Sequence, residues 1–182
     1  RYEPSARLER LVVAQTQDAP GVARVFVMPI ELDFHGAHGQ SRRVIVNDRK
    51  RMQEFRIALG FEPLWVDFDP RDIIEKSLVL EQPLTALVSK AGGDPQMMSR
   101  LSAVRQLGSV RGRGRDTAVA ALSARLQHDA FYGVRVYAAR SLGEIHTARA
   151  KAALLRALAE TDSRVRVAVV EALATFARDP EV

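Results

Sequence analysis

From Arg7 to Asp69 apolar and polar residues alternate, and from Pro83 onward the apolar ones recur every three to four positions. Alternation marks a half-buried strand, and the longer period marks an amphipathic helix. Arg7–Gln17 holds a first strand, ending in Leu11–Gln17 (LVVAQTQ). Ala23–His35 gives a second, in which Val25, Val27, Ile30, Leu32 and Phe34 can share faces. Pro29 has no N–H to donate, so it demands a bulge or an edge position. Asp18–Gly21 between the two has turn chemistry. Arg43–Asn47 and Met52–Leu59 are further strands, joined by the polar Asp48–Arg51. Pro63–Asp69 is a fifth, with Leu64, Val66 and Phe68 on one face and Trp65 opposite. Ile73–Leu80 reads either as a sixth strand or as the start of a linker. Several short strands at this spacing predict an antiparallel β-sandwich over residues 1–82.

Residues 83–182 predict helices. Pro83 opens one through Lys90, and Ala91-Gly-Gly-Asp-Pro95 ends it. Met97–Leu107 places Leu101, Val104 and Leu107 together, and Asp116–Leu126 does the same with Val119, Leu122 and Leu126. Val134–Leu142 aligns Val134, Ala138 and Leu142, and Lys151–Leu158 aligns Leu154, Leu155 and Leu158. Val165–Phe176 aligns Val165, Val169, Ala172, Leu173 and Phe176. Asp94, Asp116 and Asp162 stand where helix N-caps are expected. Ala139, Ala152, Ala157 and Ala172 are small enough for helices to approach closely.

The helical half repeats itself. Asp129–Leu142 (DAFYGVRVYAARSL) and Asp162–Leu173 (DSRVRVAVVEAL) share an aspartate, a spacer, Val-Arg-Val and helical apolar spacing. The Val-Arg pairs lie 31 apart and the aspartates 33, so Phe131 and Tyr132 read as a two-residue insertion. A weaker copy, Arg100–Gly108, lies 35 residues before Arg135–Gly143. Such periods predict stacked helical pairs, here about two and a half of them. Arg111–Arg115 is then the connector inside the first pair, and Val182 falls after the first helix of a third. Arg135 and Arg166 are expected to form a ladder with Asp129 and Asp162 of adjacent repeats. A solenoid of this kind presents surfaces rather than chemistry.

Composition narrows the function classes. There is no cysteine, which excludes disulfides, cysteine nucleophiles and zinc ribbons. No apolar run is long enough for a transmembrane helix, so no membrane partner is expected. The chain opens on Arg1 without a signal-peptide pattern and reads as a cut inside a longer protein, which leaves the compartment open. Residues 1–82 carry a net charge of −1 and residues 83–182 a net of +6. A basic half raises a nucleic-acid partner, but a solvated arginine-rich helical surface is the favoured reading. The close pair His35 and His38 is flanked by Gly36 and Gly39 and predicts a hairpin turn with exposed imidazoles rather than a metal site. Asp67 and Asp69 are paired carboxylates, but Pro70 stops the strand and Asp69 is read as forming an Asx-type turn. Arg111, Arg113 and Arg115 alternate with glycine without a P-loop pattern or interleaved aromatics, and are read as an inter-helix loop. Phe131 and Tyr132 at a repeat junction are read as packing against a neighbouring domain. No catalytic, cofactor-binding or metal-ligating residue emerges. The candidate interaction surface is Phe131, Tyr132, Arg111, Arg113 and Arg115.

Two stretches together resemble a known family. Phe26-Val-Met-Pro-Ile-Glu-Leu32 resembles the F-x-x-P-L-x-L strand that follows the catalytic domain in zinc aminopeptidases of the aminopeptidase N type. Leu11–Gln17 resembles the L-x-V-x-Q-x-Q strand before it, and Val66-Asp-Phe-Asp-Pro70 the end of the same small sandwich. Asp129-Ala-Phe-Tyr-Gly-Val-Arg135 and Ala138-Ala-Arg-Ser-Leu-Gly143 look like the HEAT-like tail of bacterial members. The resemblance implies a β-sandwich followed by HEAT-like helical repeats. It implies a non-catalytic C-terminal region that braces a catalytic domain of the same parent chain and offers a surface to another protein. The family's H-E-x-x-H zinc helix and G-x-M-E-N loop are absent from this sequence, so zinc is expected only in the parent catalytic domain. The alternative is a free-standing HEAT-repeat scaffold that binds a protein or nucleic acid through its basic half.

Overall fold

A computed structural model describes residues 1–177; positions 178–182, with the expected stop of the helical region at Val182, lie outside the described residues. The chain divides into two compact units, Arg1–Glu81 and Gln82–Val182.

The first unit contains β1 (Tyr2–Glu3), β2 (Leu8–Ala14), β3 (Met28–Gly36), β4 (Ser41–Asp48), β5 (Met52–Ala58) and β6 (Pro63–Phe68). They form two three-stranded antiparallel sheets, ordered β1-β2-β5 and β4-β3-β6. Leu11, Val13, Phe55 and Ile57 of one sheet meet Ile30, Leu32, Phe34, Val44, Val46, Val66 and Phe68 of the other in one apolar core. Pro29 pairs with Asn47 of β4, whereas the pairing with β6 begins only at Leu32, so the proline sits where β3 has one neighbour.

Two expectations for this unit are corrected. Val25 and Val27 lie outside β3, and Val27 is exposed. The reason is Gln15, just beyond β2. Its side-chain amide accepts from the Phe26 N–H and donates to the Phe26 carbonyl, both at 2.8 Å, so the backbone there is satisfied without a strand partner. Of the two readings of Ile73–Leu80 the linker holds, since no strand forms there. The Asp69 carboxylate, at a left-handed φ of 48°, accepts from the N–H groups of Ile73 and Ile74 at 3.1 and 2.8 Å, and from Lys76 Nζ at 2.7 Å. Those contacts are to the fourth and fifth residues on, a wider loop than an Asx turn.

The second unit contains α1 (Leu84–Gly93), α2 (Met97–Gly108), α3 (Arg115–His128), α4 (Tyr132–Ile145), α5 (Ala148–Arg156) and α6 (Ser163–Phe176). They pair as α1–α2, α3–α4 and α5–α6, and stack with α2, α4 and α6 in one row and α1, α3 and α5 in the other. Among the described residues there are therefore three hairpins rather than two and a half, and Arg111–Arg115 joins the first hairpin to the second. Val104, Leu107, Val119, Leu122, Leu126, Val134, Ala138, Leu142, Leu154, Val165 and Val169 form the core. None of the described helices is long and apolar enough to cross a membrane.

Helix details differ from expectation at two points. α5 turns Ala150, Ala153 and Leu154 inward, leaving Leu155 51% and Leu158 44% exposed. At a 100° step per residue, Ala150, Ala153 and Leu154 already span the buried arc, so Leu155 falls beyond it, and Leu158 lies in the 3-10 turn Ala157–Ala159 after the helix. Of the three aspartates, Asp162 alone is an N-cap, accepting from the Arg164 N–H at 2.9 Å. Asp116 lies in the first turn of α3, and Asp94 stands two residues before the cap of α2. Helix rows approach closely at two equivalent glycines. A Cβ at Gly108 would collide with Ser141 of α4, and one at Gly143 would press on Ala172 of α6 at 3.1 Å.

Candidate interaction surface

The buried residues of α4 and α6 fix the repeat register. Val134, Ala138, Ser141 and Ile145 correspond to Val165, Val169, Ala172 and Phe176, each 31 positions on and all buried. In this register Asp129 corresponds to Glu160, not Asp162. Phe131 and Tyr132 are therefore no insertion; they align with Asp162 and Ser163. Hydrogen bonding agrees. Asp94, Asp129 and Glu160 each accept, through a side-chain oxygen, from the N–H two residues on, at 2.8, 3.0 and 3.1 Å.

An arginine six residues after each of these acids completes the motif. Arg100, Arg135 and Arg166 donate from Nη1 to the backbone carbonyls of Asp94, Asp129 and Glu160, at 3.1, 2.9 and 2.7 Å. The first two also reach forward. Arg100 makes a bidentate pair with Asp129 of the next hairpin, at 2.9 and 3.0 Å. Arg135 lies 3.7 Å from Glu160 and 3.9 Å from Asp162. The expected ladder exists in part: Arg135 reaches Asp162, Arg166 meets no carboxylate among the described residues, and Arg100 and Glu160 are rungs that an alignment on the aspartates does not show. The constant spacing of six between acid and arginine is the sequence signal that finds them.

Electrostatics follow from these contacts. Burial pushes the Asp129 carboxyl up, but the Arg100 hydrogen bonds, the Phe131 N–H and the nearby Arg100 and Arg125 charges outweigh it and hold the pKa below the ordinary value. The Arg100 pKa is raised by the same pair. The Glu160 pKa is lowered mainly by the Asp162 N–H, and the Asp162 pKa falls to about 2 beside Arg164.

The five sequence-derived surface residues fall into two places. Phe131 and Tyr132 start α4, partly buried against the helical core, with ring centroids 4.8 Å apart. The Phe131 ring leaves no room for a side chain at Gly133, and Arg164 of α6 lies 3.4 Å over the Tyr132 ring. Arg111 donates to the carbonyls of Gly108 at 2.8 Å and Val110 at 3.0 Å, closing the end of α2. Arg113 is exposed, and Arg115 begins α3. The two groups thus stand at opposite ends of α3, a 14-residue helix about 20 Å long. Other arginines meet partners within the unit. Arg105 and Arg140 flank Tyr137 at 5.6 Å each, Arg140 lies 3.8 Å from Glu171, and Arg149 lies 3.9 Å from Asp116.

In the first unit, His35 and His38 diverge. His38 is exposed in the β3–β4 turn, at a φ of 54°. His35, expected to be exposed, stacks on Trp65 at 4.8 Å, with Nε2 3.3 Å from Asp67. The β3–β6 register sets His35 directly opposite Trp65 and so covers it. Asp67 faces His35 while Asp69 organises the loop after β6, so the two carboxylates do not form a pair.

At the far end of the helical rows, Leu158, Ser163, Arg166, Val167, Val170 and Glu171 line an open groove of about 360 Å³. Val167 and Val170 are each 56% exposed.

The comparisons with known proteins agree with this architecture. HEAT repeats match residues 119–182, a span that begins in α3. No match was found among curated proteins. Among solved structures, aminopeptidase A of Legionella pneumophila, crystallised in complex with aspartic acid, is similar with a TM-score of 0.61 at 12% identity. The likeness covers 98% of this chain and 27% of that one, so the chain spans about a quarter of the length of that peptidase. At this identity the likeness is one of fold: a small β-sandwich followed by HEAT-type helical repeats.

Proposed function

We propose that this chain is a non-catalytic C-terminal region of a zinc aminopeptidase-like protein, in which the sandwich braces a catalytic domain and the helical repeats supply an interaction surface. The observation that carries the reading is the extent of the fold likeness: sheets and helices together, 98% of the chain, correspond to 27% of an aminopeptidase. The residues behind the sequence resemblance have structural work here. Gln15 and Gln17 hold the loop carrying Phe26, with Gln17 donating to Gln15, Ala23 and Arg24. Asp69 shapes the chain after β6. Neither H-E-x-x-H nor G-x-M-E-N occurs, so hydrolysis and zinc belong in this reading to the catalytic domain.

The coding sequence upstream of Arg1 tests the proposal. An in-frame H-E-x-x-H with a downstream glutamate and a G-x-M-E-N loop is expected; an unrelated domain or a start codon there overturns it. The purified chain is expected to hydrolyse no aminoacyl substrate, and stoichiometric zinc with turnover overturns that part. The second reading, a free-standing HEAT-type scaffold, is favoured by the open groove at the end of the helical rows. Because many arginines of this unit already face acids or a tyrosine, a protein fits that reading better than a nucleic acid.

A further inference from the structure

The groove at the end of the helical rows repeats a surface that is covered elsewhere in the same unit. Moving back 31 residues takes Arg166, Val167 and Val170 to Arg135, Val136 and Ala139; a further 35 takes them to Arg100, Leu101 and Val104. In α2 and α4 these positions lie beneath the next hairpin. Val104 and Ala139 are fully buried, Leu101 and Val136 pack against the core, and Arg100 and Arg135 reach an acid of that hairpin. In α6 the same three positions are exposed.

Arg166 already holds the pose of its counterparts. It donates to the Glu160 and Thr161 carbonyls at 2.7 and 2.8 Å, as Arg135 donates to Asp129. Among the described residues it meets no carboxylate. Ala174 is the counterpart of Gly108 and Gly143, the close-approach positions; it is likewise small but, unlike those buried glycines, exposed.

We propose that the α5/α6 face docks a further helical hairpin of the same repeat type. That hairpin presents a carboxylate, on the turn before its second helix, to Arg166, and small apolar side chains to Leu158, Val167 and Val170. The inference rests on the repeat geometry and not on the peptidase reading, so either can fail alone.

The test adds such a hairpin. Residues 147–177 are duplicated directly after position 177 in the full chain, which places a second copy of the Glu160 turn opposite Arg166. The thermal midpoint is expected to rise by at least about 4 °C, with slower amide exchange at Val167 and Val170. Replacing glutamate by alanine only in the added copy, or Val167→Asp in the original, is expected to remove most of the rise. An added repeat that stays unfolded, or a rise that ignores both substitutions, overturns the proposal. So does concentration-dependent dimerisation of the unaltered chain that Val167→Asp abolishes, which would make a second copy the occupant.

Discussion

The acid–arginine motif works at the scale of single residues because each guanidinium does two jobs. It closes its own turn through a carbonyl and, in the first two hairpins, meets an acid of the next. The rungs are not equal. Asp129 and Arg100 are 1% and 14% exposed, so their pair is shielded from solvent, whereas Arg164 beside Asp162 is 58% exposed and screened. Asp129→Ala leaves Arg100 without its carboxylate and the Phe131 N–H without its acceptor, and is predicted to cost roughly 3 kcal/mol, read by urea denaturation. Arg164→Ala should matter little. Acid should mimic the first change. Asp129, Glu160 and Asp162 all have folded pKa values below their ordinary ones. Their contribution is therefore complete above the ordinary values, 3.8 for aspartate and 4.5 for glutamate, and is lost as pH falls through the folded values, down to about 2 for Asp162. Denaturation midpoints measured across that window should fall less steeply for Asp129→Ala than for the unaltered chain; parallel curves would contradict this assignment.

At the scale of elements, the close approach of the helix rows depends on what is missing from a side chain. Gly143 lets α4 lie against Ala172 of α6. Gly143→Leu is predicted to destabilise by about 2 kcal/mol through overpacking, and Ala172→Gly should recover part of that loss in thermal melts. A lack of any recovery would place the strain elsewhere. Most elements are legible from periodicity, since Ile30, Leu32, Phe34, Leu122, Leu126, Val165 and Val169 are buried where their spacing puts them. What periodicity misses is which of two adjacent apolar residues faces inward, as with Leu154 and Leu155 of α5. It also misses where a polar side chain replaces a strand partner, as Gln15 does at Phe26. Counting repeats from α2 leaves out α1, although Leu87 and Ala91 complete the core of the first hairpin.

At the scale of the whole molecule, the chain is a sandwich and a helical array, each with its own apolar core. The segment around Glu75–Glu81 has no secondary structure and is mostly exposed. Limited proteolysis with a glutamate-specific protease is predicted to cut there first and to leave two fragments that each give a cooperative melt. First cuts within β3 or α4 would contradict the division. The candidate surface was less legible than the fold. Aligned on the aspartates, Phe131 and Tyr132 read as an insertion, whereas the structure seats them in an ordinary helix start. The groove at α6 is not legible in the sequence, because one copy cannot show that its neighbours' equivalents are covered. The ladder carries one more consequence. Every rung takes its cation from one hairpin and its anion from the following one, so the array has a direction. Adding or removing a whole unit at its leading end adds or removes one complete rung and exposes the same guanidinium again. The chemistry of that end is therefore independent of array length, and a ligand that reads it would read short and long arrays alike.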